Sequence, residues 1–364
     1  MTSSTDPYQR FVRTAFPEKP PGSYLDTASI GLVPMAVRTA VAECYEALGA
    51  GVRGMQHTRA GVEQTRALLA QEFGCRGDDL TFASSTGEAI NTVARAITWR
   101  EGDEVLVLAD EFPTTQLPWS RLPGVRLVTT KPAAHDDRLG ALLGAIGPRT
   151  RLVAVAHVNS VTGTLIDLSE LGQACARVGA LLLCDGAQSA GVLPVDTTDV
   201  DFFVTTGYKW LLAGFGIAFT ITKPTVRDQL SPTLLGHANM PPSQELAVGT
   251  PNLGGIHALG AAARLRHTVG LKAITHRTRT LADRIRDEAA AIGYSIASHD
   301  TQGPIVSLCP PAGSAPELVE QLGRRDIVAA ARGGHLRISP YFYTADSEVD
   351  ELLDALTQAS RITT

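Results

Sequence analysis

Leu181-Leu182-Leu183-Cys184-Asp185-Gly186-Ala187-Gln188 is a strand-forming run that ends in an acid, and a second such run over 201–206 ends in Gly207-Tyr208-Lys209-Trp210. Runs this uniformly apolar read as strands buried on both faces of a sheet. Their ends carry the chemistry. A carboxylate at one strand end holds a pyridine nitrogen protonated, and a lysine 24 positions later (209 − 185) forms an imine with an aldehyde. The two groups together make an electron sink, which is what pyridoxal phosphate requires of a protein.

Working outward, the pattern predicts strands over 80–83, 104–109, 125–129, 151–157, 180–184, 201–205 and 217–222, with amphipathic helical stretches over 88–98, 137–145 and 168–178 between them. This βα alternation specifies an α/β fold with a mainly parallel seven-stranded sheet. Helices over 34–48 and 58–73 precede it, joined by a glycine-rich segment near Arg53, His57 and Arg59. After Pro251 the character changes to helices over 257–269 and 273–291, short strands near 305–309 and 335–339, and a closing helix over 347–359. That is a smaller α+β unit. The expected division is a large domain over 20–254 and a small domain made of 1–19 and 255–364.

Composition narrows the function classes. A chain of 364 residues with 44% hydrophobic content supports one large and one smaller core. A formal charge of −5 without a basic cluster gives no footprint for nucleic acid or an anionic membrane surface. No apolar run approaches the roughly 20 residues needed to span a bilayer, and the N-terminus lacks a signal pattern. A cytoplasmic location is expected. Five scattered cysteines without a CxxC pair suggest neither disulfides nor zinc, and nine histidines show no HExxH spacing, so no metal is expected.

The remaining candidates lie in loops at the C-terminal ends of strands, where open α/β sheets bind ligands. Ala83-Ser84-Ser85-Thr86-Gly87-Glu88 opens directly into a helix. Free amides, the positive end of the helix dipole and the Thr86 hydroxyl suit a phosphate, although the same turn taken alone reads first as an ordinary N-cap. Phe112-Pro113 offers an aromatic face to a flat ring, or simple packing. Asp185 alone is also a turn residue and Lys209 alone a surface lysine; the order and spacing of the four elements favour the cofactor. A dinucleotide site is poorly supported, because no GxGxxG follows a first strand. His157 ends a buried strand, as a core residue or a substrate contact. Arg332-Gly333-Gly334-His335 reads as a turn before the last strand, with a pocket-shaping role as the alternative. Trp119 and Trp210 read as packing.

Taken in order, Tyr24-Leu25-Asp26-Thr27-Ala28, Ser85-Thr86-Gly87-Glu88-Ala89-Ile90-Asn91, Glu111-Phe112-Pro113-Thr114, His157-Val158-Asn159-Ser160-Val161-Thr162-Gly163, Asp185-Gly186-Ala187-Gln188, Thr206-Gly207-Tyr208-Lys209-Trp210, Gly249-Thr250-Pro251-Asn252 and Arg337-Ile338-Ser339 resemble class V, fold-type I pyridoxal-phosphate enzymes. That branch of the aminotransferase superfamily includes cysteine desulfurases, isopenicillin-N-epimerase-like proteins and kynureninase. The resemblance covers nearly the whole chain. It implies that Lys209 binds the cofactor aldehyde and then shuttles the substrate α-proton. It also implies that Asp185 pairs with the ring nitrogen, Gln188 approaches the ring hydroxyl and Phe112 stacks on the ring. Thr86, the Gly87 amide and Thr206 would hold the phosphate, with Tyr208 beside them. Thr250 would reach the neighbouring subunit's phosphate, making a homodimer with shared sites, which Arg53, His57 and Arg59 also approach. Arg337 would clamp the α-carboxylate of an amino-acid substrate bidentately.

Several departures matter. Ser160 stands where relatives with His-Val-Ser-Asn place the asparagine, so the contact to the ring hydroxyl falls to Ser160, Asn159 or Gln188. Tyr208 and Phe112 stand where desulfurases use histidines. No cysteine follows Cys309, whereas desulfurases carry a mobile thiol on a loop shortly before the carboxylate-binding arginine. The expectation is therefore an aminotransferase or a carbon–sulfur β-lyase in a biosynthetic pathway. Desulfurase-type or epimerase activity, or a non-catalytic cofactor-binding scaffold, are the alternatives; intact Lys209, Asp185 and Arg337 oppose the scaffold.

Overall fold

A computed structural model describes residues 7–132, 137–240, 246–297, 303–311 and 313–361. Its main sheet has seven strands: β1 (Leu80–Ala83), β2 (Glu104–Leu108), β3 (Arg126–Thr130), β4 (Thr150–Ala156), β5 (Leu181–Asp185), β6 (Phe202–Thr206) and β7 (Ala218–Thr222), in the order β1-β7-β6-β5-β4-β2-β3. Strands β2 to β6 pair in parallel, and β7 runs antiparallel to both β6 and β1. The expected strands are all present, most of them displaced by a single residue.

Both faces of the sheet are buried, which explains the unbroken apolar runs. Leu182, Cys184 and Phe203 enter one core with Ile256 and Leu259. Their neighbours Leu183, Phe202 and Val204 enter the opposite core with Ile90, Val93 and Trp119. Helices Thr86–Ala96 and Leu168–Val178 start on side-chain caps: the Ser85 hydroxyl accepts from the Glu88 amide, and Asp167 accepts from the amides of Ser169 and Glu170. The C-terminal part forms a four-stranded antiparallel sheet of Ser295–Ile296, Val306–Cys309, His335–Ile338 and Ala330–Arg332. Helices Leu271–Ala291, Ala315–Gly323 and Asp346–Arg361 cover it, around Leu281, Ile285, Leu308, Leu336 and Leu352.

The N-terminal segment joins the two sheets. Helix Pro7–Ala15 contributes Val12, and Phe16 follows, to the first core. Ser23–Tyr24 then pairs in parallel with Ile327–Val328, and Asp26 bridges to Ser339. The chain reaches the lysine turn at Gly31, whose amide donates to the Tyr208 carbonyl at 2.8 Å.

Some elements differ from the sequence expectation. Helix Val52–Phe73 begins six residues early (58 − 52), so Arg53, His57 and Arg59 lie on a helix rather than in a glycine-rich loop. Gly54 permits this: a Cβ there would lie 1.7 Å from the Ala47 carbonyl oxygen, so the glycine serves close helix packing instead of breaking the helix. Helices Pro7–Ala15 and Ala315–Gly323 and strand Ala330–Arg332 were not anticipated, being short segments held by tertiary contacts. No helix among the described residues is long and apolar enough to cross a membrane.

At Gly31 an added Cβ would meet the Lys209 carbonyl oxygen at 2.2 Å and Leu212 at 2.6 Å. Gly31→Ala is expected to destabilise the fold by about 1–3 kcal/mol, seen as a lower urea midpoint. An unchanged midpoint would show that this segment is not docked against the lysine turn.

Candidate active site

Parallel strands end on one edge of the sheet, and the ends of β4, β5 and β6 bring the chemistry together. Asp185 closes β5 and is buried; its Oδ1 accepts from the Ala187 amide at 2.9 Å and its Oδ2 from the Thr115 hydroxyl at 3.3 Å. Burial raises its pKa, while these hydrogen bonds and Lys209 oppose the rise. Lys209 follows β6 in a turn that Gly207 makes possible, since a Cβ at that glycine would lie 2.6 Å from Ile217. Leu212 in the same turn has a φ of 61°, a left-handed conformation disfavoured for a branched side chain. The Lys209 ammonium lies 5.9 Å from the Phe112 ring centroid and 5.7 Å from that of Tyr208. Burial lowers the Lys209 pKa to about 8; Asp185 opposes this, and Arg337 and Arg332 reinforce it.

Of the other expected residues, Phe112 and Tyr208 bring their rings to Lys209, and the charge of Arg337 acts on it. Ser85, not Thr86, is the N-cap, which leaves the Thr86 hydroxyl without a hydrogen-bond partner among the described residues. A Cβ at Gly87 would meet only Ser85 and Thr114 at ordinary contact distance, so the glycine leaves its amide uncovered rather than relieving a clash. Thr206 is buried at the end of β6, Phe112 is 54% exposed, and Tyr208 stacks on Phe215 with centroids 4.7 Å apart. Thr250 contacts His237 at 3.3 Å on an exposed loop.

Gln188 is held at both ends of its amide, donating to the Ala28 carbonyl at 3.0 Å and accepting from the Trp210 indole at 2.8 Å. One N–H remains for a ligand, and Trp210 orients the amide in addition to packing. Asn159 is committed to its own loop: its oxygen accepts from the amides of Val161 and Thr162, and its nitrogen donates to Asp110. The Ser160 carbonyl accepts from Arg337 Nη1 at 2.9 Å. Arg337 is buried, and its Nη2 donates to Asp26 at 3.1 Å and to Ser29 at 2.5 Å. Burial lowers its pKa, and Asp26 counters this. His157 is buried, its Nδ1 has no hydrogen-bond partner among the described residues, and burial lowers its pKa to about 4.

Sequence reasoning missed Asp26 and Ser29 as partners of Arg337, Thr115 as a partner of Asp185, and the pair Glu111–Arg138 nearby. Glu111 accepts from Arg138 at 2.6 Å and from the Ala156 amide at 3.1 Å, and burial raises its pKa to about 7. Glu111 stands in a quoted motif, but nothing local connects Asp26 to an arginine 311 positions away.

A half-buried lysine of lowered pKa, a buried carboxylate whose charge acts on it, an exposed aromatic face and a helix N-terminus whose Thr86 hydroxyl has no partner among the described residues match the donor set that pyridoxal phosphate needs. The aminotransferase class-V family profile matches residues 23–352. The chain belongs to the class-V aminotransferase family. A probable cysteine desulfurase of Methanothermobacter thermautotrophicus is 30% identical over 74% of this chain and 72% of the relative. Isopenicillin N epimerase of Streptomyces clavuligerus is 31% identical over 80% of this chain and 83% of its own length. Among solved structures, a cysteine desulfurase from Thermococcus onnurineus superposes with a TM-score of 0.89 at 24% identity, covering 99% of this chain and all of that one. The cystine C–S lyase C-DES superposes at 0.85 with 23% identity, covering 94% of this chain and 99% of that one. This class-V aminotransferase-family chain is thus a pyridoxal-phosphate-dependent enzyme of the fold anticipated from its sequence.

Because the neutral amine is the nucleophile, covalent uptake of pyridoxal phosphate by the apoprotein is expected to quicken with rising pH and level off above about 8. Stopped-flow absorbance measures it. A plateau near pH 10 would contradict the burial of Lys209, and Lys209→Ala should abolish borohydride-fixed labelling.

Proposed function

We propose that this enzyme is a carbon–sulfur β-lyase acting on a cysteine-derived amino acid, with no sulfur carried on the protein. The hairpin before Arg337 carries the reading. Strands Ala330–Arg332 and His335–Ile338 are joined by only Gly333 and Gly334, at φ 56° and 83°. Both central residues in the left-handed region make a tight two-residue turn, with no length for a loop that brings a thiol to the substrate. Cys44, Cys175 and Cys184 are buried with raised pKa values, and burial pushes the Cys75 thiol up to about 11. Cys309 lies on a strand, within 3.2 Å of His335. Desulfurases among the relatives favour sulfur amino acids as substrates. Without a thiol to attack sulfur, cleavage at the β-carbon proceeds by elimination.

Bound pyridoxal phosphate supplies a conjugated ring that delocalises the electron pair left when the substrate Cα loses its proton. Thr86, Gly87 and Thr206 would hold its phosphate, Phe112 would cover the ring, and Asp185 would supply negative charge to the ring nitrogen. Gln188 and Ser160 offer a remaining N–H and a hydroxyl to the ring oxygen. Lys209, as the free amine, would take the substrate Cα proton and deliver it to the departing sulfur. The net change is R–S–CH2–CH(NH3+)–COO− plus water giving R–SH, pyruvate and ammonium. Transamination uses the same residues and differs in where Lys209 returns the proton.

A homodimer belongs to the same proposal. Tyr45, Val52, Phe215, Leu235 and Met240 are large apolar side chains exposed on this chain, and Thr250 stands on an exposed loop as a residue serving a neighbour would. The division into domains of 20–254 and of 1–19 with 255–364 is part of this reading.

Holoenzyme given S-substituted cysteines is expected to release equimolar pyruvate, ammonium and thiol, identified by mass spectrometry, and Cys309→Ala should keep most of that turnover. Loss of turnover in Cys309→Ala would replace elimination with a protein persulfide. A keto acid retaining the substrate's carbon–sulfur bond, with pyridoxamine phosphate left on the enzyme, would establish transamination.

A further inference from the structure

Arg138 opens the helix Arg138–Ala145, between β3 and β4, and is wholly buried. A buried guanidinium requires acids beside it, and two are present. Its Nη2 donates to Glu111 Oε1 at 2.6 Å, and its Nε lies 3.3 Å from Asp110 Oδ2. Both acids stand in the loop that follows β2, and each reaches on to the end of β4. Glu111 Oε1 also accepts from the Ala156 amide at 3.1 Å, and Asp110 Oδ2 accepts from Asn159 Nδ2 at 3.0 Å. One guanidinium thus ties together two loops through contacts that span 45 and 49 positions of sequence.

Those loops carry the ring side of the site. The first brings Phe112 to Lys209 and the Thr115 hydroxyl to Asp185, and Gln116 gathers its backbone by donating to the carbonyls of Leu108, Ala109 and Glu111. The second starts from Ala156, which stands opposite Asp185 in the sheet register. Asn159 then shapes the turn that holds Ser160, because its oxygen accepts from the amides of Val161 and Thr162. Burial, with the charges of Asp110 and Asp185, pushes Glu111 toward protonation, and Arg138 opposes them. The pair adds little to stability, since Glu111 Oε2 and Arg138 Nη1 are buried without hydrogen-bond partners among the described residues. What it fixes is geometry. A guanidinium suits that task, because it presents separate N–H groups to two acids where an ammonium is a single point.

We propose that Arg138 is a positioning residue for the cofactor ring, locking through Glu111 and Asp110 the two loops that carry Phe112, Thr115 and Ser160. This role is independent of whether the holoenzyme catalyses elimination or transamination.

The test compares wild type with Arg138→Met/Glu111→Gln, which removes both buried charges and keeps an acceptor for the Ala156 amide. Apoprotein is titrated with pyridoxal phosphate, and the circular dichroism induced in the bound cofactor's absorption band measures how firmly the ring is held. The variant is expected to melt within about 5 °C of the wild type. It should bind the cofactor about tenfold more weakly and lose most of the induced dichroism per bound cofactor. Inorganic phosphate, which needs only the helix start at Thr86, should compete with cofactor uptake as well as it does in the wild type. Unchanged affinity and dichroism overturn the proposal, and so does an equal loss for phosphate, which marks a general disturbance. A double variant that no longer folds overturns it too, by making the pair a requirement of the core instead of the ring.

Discussion

Holding an amine and a carboxylate within reach of each other's charge, largely out of water, is the constraint on which the rest of this structure depends. Each group alone is costly to remove from water, and both respond by shifting toward neutrality: Asp185 upward and Lys209 downward to about 8. A parallel sheet makes the arrangement possible, because adjacent strands end on the same edge and fix two side chains from separate loops against each other. Asp185 gains hydrogen bonds from Thr115 and the Ala187 amide; Lys209 is held by a turn that tolerates a positive φ at Leu212. Such strain persists only where the surroundings determine it, here the Gly31 and Gly207 contacts on either side.

The same economy of placement governs the substrate side. Residues 23–31 run from their pairing with Ile327–Val328 to the lysine turn and deliver Asp26, Ser29 and the Ala28 carbonyl to Arg337 and Gln188 on the way. A buried arginine without Asp26 would be an uncompensated charge, so the ion pair is the condition for having Arg337 inside at all. One consequence is that the cation facing solvent is Arg332, on the neighbouring strand. The short Gly333–Gly334 turn rests on the Ser160 loop through Val161.

Much of this was legible in the sequence. The seven strands were visible because both faces of the sheet are covered, so each strand reads as an unbroken apolar run closed by a small-residue turn. The positions of Asp185, Lys209, Thr86 and Phe112 stood out because each ends such a run or lies within four residues of its end. The helix start near residue 52 was not, because Gly54 signals a loop locally while serving helix contact with Ala47. Strand Ala330–Arg332 was hidden for a similar reason: three residues have no periodicity of their own, and only pairing with His335–Ile338 makes them a strand. Trp210 packs in the core as expected, but its indole bond to Gln188 and the Asn159 bond to Asp110 reach distant partners and leave no mark on neighbouring residues.

By itself the sequence determined the layered α/β architecture and the order of chemical groups along the strand ends, because hydrophobic period and turn residues are local properties. It also determined that no cysteine follows Cys309. The tertiary structure alone decided the electrostatic partnerships: Asp26 with Arg337, Glu111 with Arg138, and Gln188 with Trp210. Those pairs join residues 22 to 311 positions apart, and their strength comes from a low-dielectric interior that exists only once the chain has folded.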